Sequence, residues 1–134
     1  MTPFQLKIVT PYGAVFDGAA EELIVRTTSG DLGILAGHMD CVAPLGMGRA
    51  TIVVDGKRRY GACIGGMLSV IAGNVTLVPT TFEWAEDIDV ARAEASYLRA
   101  KQTLDSKHAS DTELRLAEAR LKRALVRKSI GTAK

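Results

Sequence analysis

The chain predicts an α+β protein, with a strand-built sandwich or barrel followed by an antiparallel pair of helices. Three observations carry this prediction. All 4 prolines, and every glycine but one, precede residue 80. The same stretch holds many short, alternating apolar runs separated by glycine turns, the pattern of a small sandwich or barrel. From Asp87 onward the composition shifts to Ala, Leu, Arg, Lys and Glu, with apolar positions at helical spacing. The break predicts a strand domain over residues 1–86 and a helical hairpin over residues 87–134.

The strand part follows from period-two alternation. Phe4, Leu6 and Ile8 alternate with Gln5, Lys7 and Val9, and Pro11-Tyr12-Gly13 closes that strand. Val15-Phe16-Asp17-Gly18 is a short second piece. Residues 22–28 alternate Leu23, Val25 and Thr27 against Ile24, Arg26 and Thr28, and Ser29-Gly30-Asp31 then turns the chain into Leu32-Gly33-Ile34-Leu35. Asp55-Gly56 joins two β-prone runs, 49–54 and 57–64. That dipeptide is a strong hairpin signal, because a type I′ turn needs positive φ at both central residues. A further hairpin is predicted from 67–71 to 75–78, turning at Gly73-Asn74.

The helices follow from spacing and capping. Asp87 or Asp89 caps a helix running to about Leu104, with Ala93, Tyr97, Ala100 and Leu104 on one stripe. Ser106 to Ala109 is a short link. Ser110 and Glu113 form a capping box that starts the second helix, whose stripe is Leu114, Ala117, Leu121 and Ala124. The expected end lies near Ile130-Gly131, with Arg127 and Lys128 in the last turn. A seam so rich in alanine buries little area, since a fully buried leucine stabilises by roughly 1.5–3 kcal/mol and alanine by much less. The hairpin is therefore expected to hold together weakly, with an ordinary tight helix pair as the other reading of the same pattern.

Charge is unevenly shared. Six Lys/Arg and nine Asp/Glu precede Asp89, against eleven and six from Asp89 on. A basic tail suits an acidic protein surface or a polyphosphate, whereas the slightly acidic strand part argues against nucleic acid. Cys41 and Cys63 have neither metal-ligand nor redox spacing, and read as small reduced apolar residues of a cytosolic protein. No apolar run is long enough to span a bilayer. The N-terminal residues alternate as a strand without signal character, so a bacterial cytoplasmic protein is expected, with membrane association only through partners.

Catalytic motifs are missing. There is no phosphate-binding loop of the Walker type, no nucleophile elbow and no H-E-x-x-H. Neither His38 nor His108 has an obvious nucleophile partner. Gly61 to Gly66 resembles a phosphate loop only superficially, since no helix follows, and reads as a strand bend. The arginines say more. Arg92 and Arg99 are seven apart on one helix and Arg123 and Arg127 four apart on the other, each pair on one face. Where those faces meet, guanidinium forks would suit phosphate oxygens; otherwise the charges are solvated beside neighbours such as Glu94 and Glu118.

Ser29-Gly30-Asp31-Leu32-Gly33-Ile34-Leu35-Ala36-Gly37-His38 resembles the signature of the epsilon subunits of bacterial F-type ATP synthases. Ile88-Asp89-Val90-Ala91-Arg92-Ala93, the opening Leu6 to Gly13 and the pair Gly65-Gly66 are similar too. The resemblance spans the whole chain. It implies a ten-stranded flattened barrel or sandwich resting on the gamma stalk and on the ring of c subunits. It also implies a non-catalytic rotor subunit that couples ion flow to ATP synthesis in the alpha–beta head.

The resemblance further implies an arm that can lie folded or extend into the head. Extended, the arm blocks ATP hydrolysis, with Arg115, Lys122, Arg123 and Arg127 placed to meet an acidic stretch of a beta subunit. Some members bind ATP in the folded arm, and Glu83, Ile88, Asp89, Arg92, Ala93, Arg99, Arg123 and Arg127 match that nucleotide site. No cofactor is required; ATP would be a regulatory ligand. Asp31, Gly33 and His38 match the ring- and stalk-facing loops. The chain departs from the pattern at Ala36, where proline is frequent, and at Met39-Asp40-Cys41. The implied place is the cytoplasmic face of the plasma membrane, peripheral, with neither membrane insertion nor nucleic acid. The competing readings are a stand-alone ATP-binding module, which binds ATP but not gamma, and a DNA binder with strongly salt-dependent affinity.

Overall fold

A computed structural model describes residues 2–132. The chain falls into two compact units, Met1–Trp84 and Ala85–Lys134. The first holds ten strands: β1 (Phe4–Thr10), β2 (Gly13–Ala20), β3 (Glu22–Thr27), β4 (Gly30–Ile34), β5 (Cys41–Pro44), β6 (Met47–Val54), β7 (Lys57–Ile64), β8 (Met67–Ile71), β9 (Asn74–Val78) and β10 (Thr81–Trp84). They form two five-stranded sheets, β2-β1-β9-β8-β5 and β10-β7-β6-β3-β4, and so a β-sandwich. Pairing is antiparallel except between β1 and β9, which run parallel from Gln5↔Asn74 to Ile8↔Leu77.

Alternation sends one side of each strand inward. Leu6, Ile8, Leu68 and Leu77 of the first sheet meet Leu23, Val25, Ala50 and Ile52 of the second in one core. Phe82 and Trp84 pack edge to face at 5.0 Å along its margin. The sheets are tied at one corner by the Thr27–Leu45 bridge and by the Gly46 N–H donating to the Arg26 carbonyl at 2.9 Å. There the chain crosses from β5 to β6.

The Asp55-Gly56 turn has φ of 52° and 74°, the geometry its residues predict. The following hairpin turns one residue earlier than the sequence suggests. Ala72 and Gly73 take φ of 50° and 83°, while Asn74 already pairs with Ile71 as the first residue of β9. The short piece at Val15 is the middle of an eight-residue strand, because the β1 ladder extends it at both ends. The strands β5 and β10 have four residues each, too short for periodicity to reveal.

The second unit opens with a 3-10 turn, Ala85–Asp87, then α1 (Val90–Leu104) and α2 (Asp111–Thr132). Asp89 is the N-cap of α1 and accepts a hydrogen bond from the Arg92 N–H at 3.0 Å. Ser110 Oγ accepts from the Glu113 N–H at 3.1 Å, the serine half of the capping box. Ala93 and Ala100 on α1, and Ala117 and Ala124 on α2, are buried as the stripes predict. Gly131 does not end the second helix but lies within it. A Cβ there would sit 2.8 Å from Val90 Cγ2 and 3.0 Å from Ile88 Cγ2, so the glycine permits close approach to the start of α1. Arg127 and Lys128 consequently lie before the final turn rather than in it.

Candidate functional site

Three groups of side chains were marked by the sequence, and each is carried by identifiable elements. Asp31, at the start of β4, lies opposite Arg26 of β3, and the two pair at 2.8 Å between Nε and Oδ1. The pair is half-exposed, so its net worth is small, about 0–1 kcal/mol. Gly48 makes room for it, because a Cβ there would press to 2.7 Å from Arg26 Cβ. Ile24, Arg26, Asp31, Met47, Gly48, Arg49 and Thr51 line a shallow depression of about 370 Å³. Gly33 faces Ile24 across the ladder with open space around it. His38 follows the turn after β4. Its N–H donates to the Leu35 carbonyl, and Nδ1 lies 2.7 Å from the Met39 carbonyl. A carbonyl only accepts, so Nδ1 is the donor in this contact.

The nucleotide candidates fall into different roles. Glu83 lies on β10 opposite Ala62. Ile88 and Ala93 are buried at the beginning of the hairpin. Asp89 is committed to capping. Arg92, Arg99 and Arg123 are exposed, and Arg127 is half-buried. In antiparallel helices the start of α1 is level with the end of α2, so Arg92 and Arg127 belong to one end of the hairpin. Arg99 lies two turns, about 10 Å, further along α1. It borders a depression of about 520 Å³ with Gln102, Thr103, Ser106, His108, Ala109 and Glu113 at the helical bend. The cationic face is therefore extended rather than a single cluster. Guanidinium groups of this kind suit oxyanions such as phosphate.

The basic candidates of α2 lie mainly on the exposed surface. Arg115 and Arg123 are exposed, and Lys122 pairs with Glu118 at 3.3 Å, an (i, i+4) contact. Arg120 joins Arg123 and Arg127 at spacings of three and four. That row escaped the sequence reading, although helical spacing alone reveals it.

A larger omission is the outer side of the first sheet. Pro44, Met67 and Val78 are successive cross-strand neighbours, with Val42 on β5 and Ile71 on β8 nearby. All five are exposed. The signal was present in β8, where Met67-Leu68-Ser69-Val70-Ile71 is apolar on both sides of the strand. Among the described residues no group of His, Cys, Asp and Glu is arranged to hold a metal ion. No helix among the described residues is long and apolar enough to cross a membrane.

Comparison with known proteins bears on both units. Residues 3–85 match the family described as "ATP synthase, Delta/Epsilon chain, beta-sandwich domain". Residues 86–129 match "ATP synthase, Delta/Epsilon chain, long alpha-helix domain". The chain is 42% identical to an ATP synthase epsilon chain of Ruminococcus albus, over 100% of both chains. It is 43% identical to that of Bacillus velezensis over 95% of this chain and 96% of the other. Among solved structures, a chain of the Euglena gracilis mitochondrial ATP synthase has a TM-score of 0.85 at 20% identity, covering 96% of this chain and 81% of that one. A chain of the Tetrahymena thermophila central stalk and c-ring structure has a TM-score of 0.63 at 16% identity, covering 95% of each. The last two show likeness of fold.

Proposed function

Because the chain belongs to the epsilon chains of ATP synthase, within the delta/epsilon family, we propose that it is a non-catalytic part of the rotor that helps couple ion translocation to ATP synthesis. The observation that carries this reading is the match of both family domains, in order, across nearly the whole chain. The sandwich is the anchoring part. Its exposed apolar side, Val42, Met67, Ile71 and Val78, offers area for a permanent partner to cover, and the gamma subunit is that partner. Strand β4, which bears Asp31 and Gly33, and the segment after it that bears His38 face the ring of c subunits. The chain thereby sits on the cytoplasmic side of the membrane without entering it.

The helical unit is the regulatory part. Extended, its basic side (Arg115, Lys122, Arg123 and Arg127) meets an acidic surface of a beta subunit in the alpha–beta head and restrains ATP hydrolysis. Folded, its arginines hold ATP. A ligand that binds only the folded state stabilises it by RT ln(1 + [L]/Kd), about 2.7 kcal/mol at a hundredfold excess over Kd. A thinly packed alanine seam suits a part that must be released.

Co-expression with the gamma subunit tests the anchoring role. The two should co-purify, and Val42→Lys with Met67→Lys should weaken the complex while leaving the fold intact. Failure to capture gamma refutes the rotor role and leaves the stand-alone ATP module. The nucleotide role is tested separately by thermal melting. Millimolar ATP should raise the melting temperature, and Arg92→Ala should abolish the rise. No rise removes ATP binding and leaves the rotor role standing.

A further inference from the structure

We propose that the open end of the helical hairpin carries a clasp, Glu94, Tyr97 and Lys128 beside Val90 and Gly131, that sets how readily the two helices separate. The proposal rests on the reading of this unit as a movable arm and names the contact that governs its release. At the bend the helices are joined covalently through residues 105–110, so separation starts at the other end. Along the middle of the seam, Ala93, Ala100, Ala117 and Ala124 bury little area. At the open end, an ion pair, a cation–ring contact and a close glycine approach cross between the helices.

Lys128 Nζ lies 2.5 Å from Glu94 Oε2 and 5.5 Å from the centroid of the Tyr97 ring. Both side chains of the ion pair are partly exposed, yet Glu94 Oε2 itself is shielded from water. The ammonium is therefore the carboxylate's substitute for solvent at that oxygen. One turn on, Gly131 brings α2 against Val90 and Ile88, with no room for a side chain. Val90, Glu94 and Tyr97 follow at spacings of four and three, and Lys128 and Gly131 at three. Each set lies on one face, so the contacts form one continuous strip. An ion pair and a steric fit can be lost together in a single opening movement, whereas a large apolar seam would resist it.

The chemistry predicts an asymmetry. Lys128→Met strands a shielded carboxylate oxygen, whereas Glu94→Gln keeps a carbonyl that accepts from Lys128. Amide hydrogen exchange on the full chain, read residue by residue by NMR, tests this. Lys128→Met should speed exchange of residues 126–132 by about tenfold, and Glu94→Gln by about threefold. Gly131→Ala should also speed it, although alanine is the better helix former by about 1 kcal/mol. Amides flanking the bend, near Leu104 and Leu114, should change least. Unchanged exchange in both Lys128→Met and Gly131→Ala, or an equal rise at the bend, overturns the clasp. Hydrolysis by the assembled ATP synthase separates the two readings. Loosened helices with more inhibited hydrolysis support both, while loosened helices with unaltered hydrolysis uphold the clasp and refute the arm's inhibitory role.

Discussion

Gly66 takes φ of 95°, and a Cβ there would run into the Val78 carbonyl oxygen. Strain and collision coincide, so Gly66→Ala should lose about 3 kcal/mol or more. Gly33 has open space and no positive φ, and Gly33→Ala should stay within about 0.5 kcal/mol of the parent. Denaturant melts of the two variants decide the matter. The run from Gly61 to Gly66 reads in sequence as a strand bend, but Gly61 to Ile64 are regular β7, paired on both sides, and only Gly65 and Gly66 bend. The need for Gly61 is not legible, since what fills its Cβ position is the ring of Phe82, twenty-one residues away. Cys63 supplies a prediction in pH. Burial raises its thiol from 9.0 to about 12. In this window the unfolded chain has lost the proton and the folded chain keeps it, so stability falls as pH rises past 9.0. The slope approaches about 1.4 kcal/mol per pH unit. Cys63→Ala should remove that alkaline limb from melts taken across the window.

At the scale of elements, capping was the most readable feature and short strands the least. Asp89 and Ser110 both cap as their positions predict, because a cap is a local exchange between one side chain and a backbone N–H two or three residues on. Asp89→Ala should cost about 1 kcal/mol, seen as lower helical circular dichroism while the strand signal holds. By contrast, β5 and β10 exist because a neighbour supplies the ladder: β8 for one and β7 for the other. Their four residues carry too little pattern to announce themselves. The Ala72-Gly73 turn was misplaced by one residue for a related reason. Gly73-Asn74 is the better turn dipeptide, but Asn74 is held by pairing with Gln5 as well as Ile71, and tertiary pairing overrides it. Gly131 looks like a helix stop in sequence, and only the approach of Val90 explains it as a contact residue.

For the whole molecule, the composition break and the change of period made the two-part architecture readable, since both are averages over many residues. The candidate site was readable only in part. The arginine faces follow from spacing, but the exposed apolar side of β5, β8 and β9 depends on which strands lie side by side. Among the described residues, the core of the sandwich is drawn from residues 4–84. A fragment of residues 1–84 should therefore fold alone, with a single cooperative thermal transition and two-dimensional NMR dispersion typical of β structure. A fragment that remains unfolded would show that the helices are needed for the sandwich to form.

The strand β1 is held between β2 and β9, and its parallel partner lies about seventy residues downstream. During synthesis, β1 emerges well before β9 and is thus late to find its full set of neighbours. It waits as one half of a hairpin with an unfilled edge until residues 74–78 emerge. After β9 come β10 and then the helical unit, so the sandwich can close while the helices are still being made. Shortening the gene after residue 84 would remove that interval, and a nascent chain so truncated would be more exposed to aggregation than a purified fragment refolding in dilute solution.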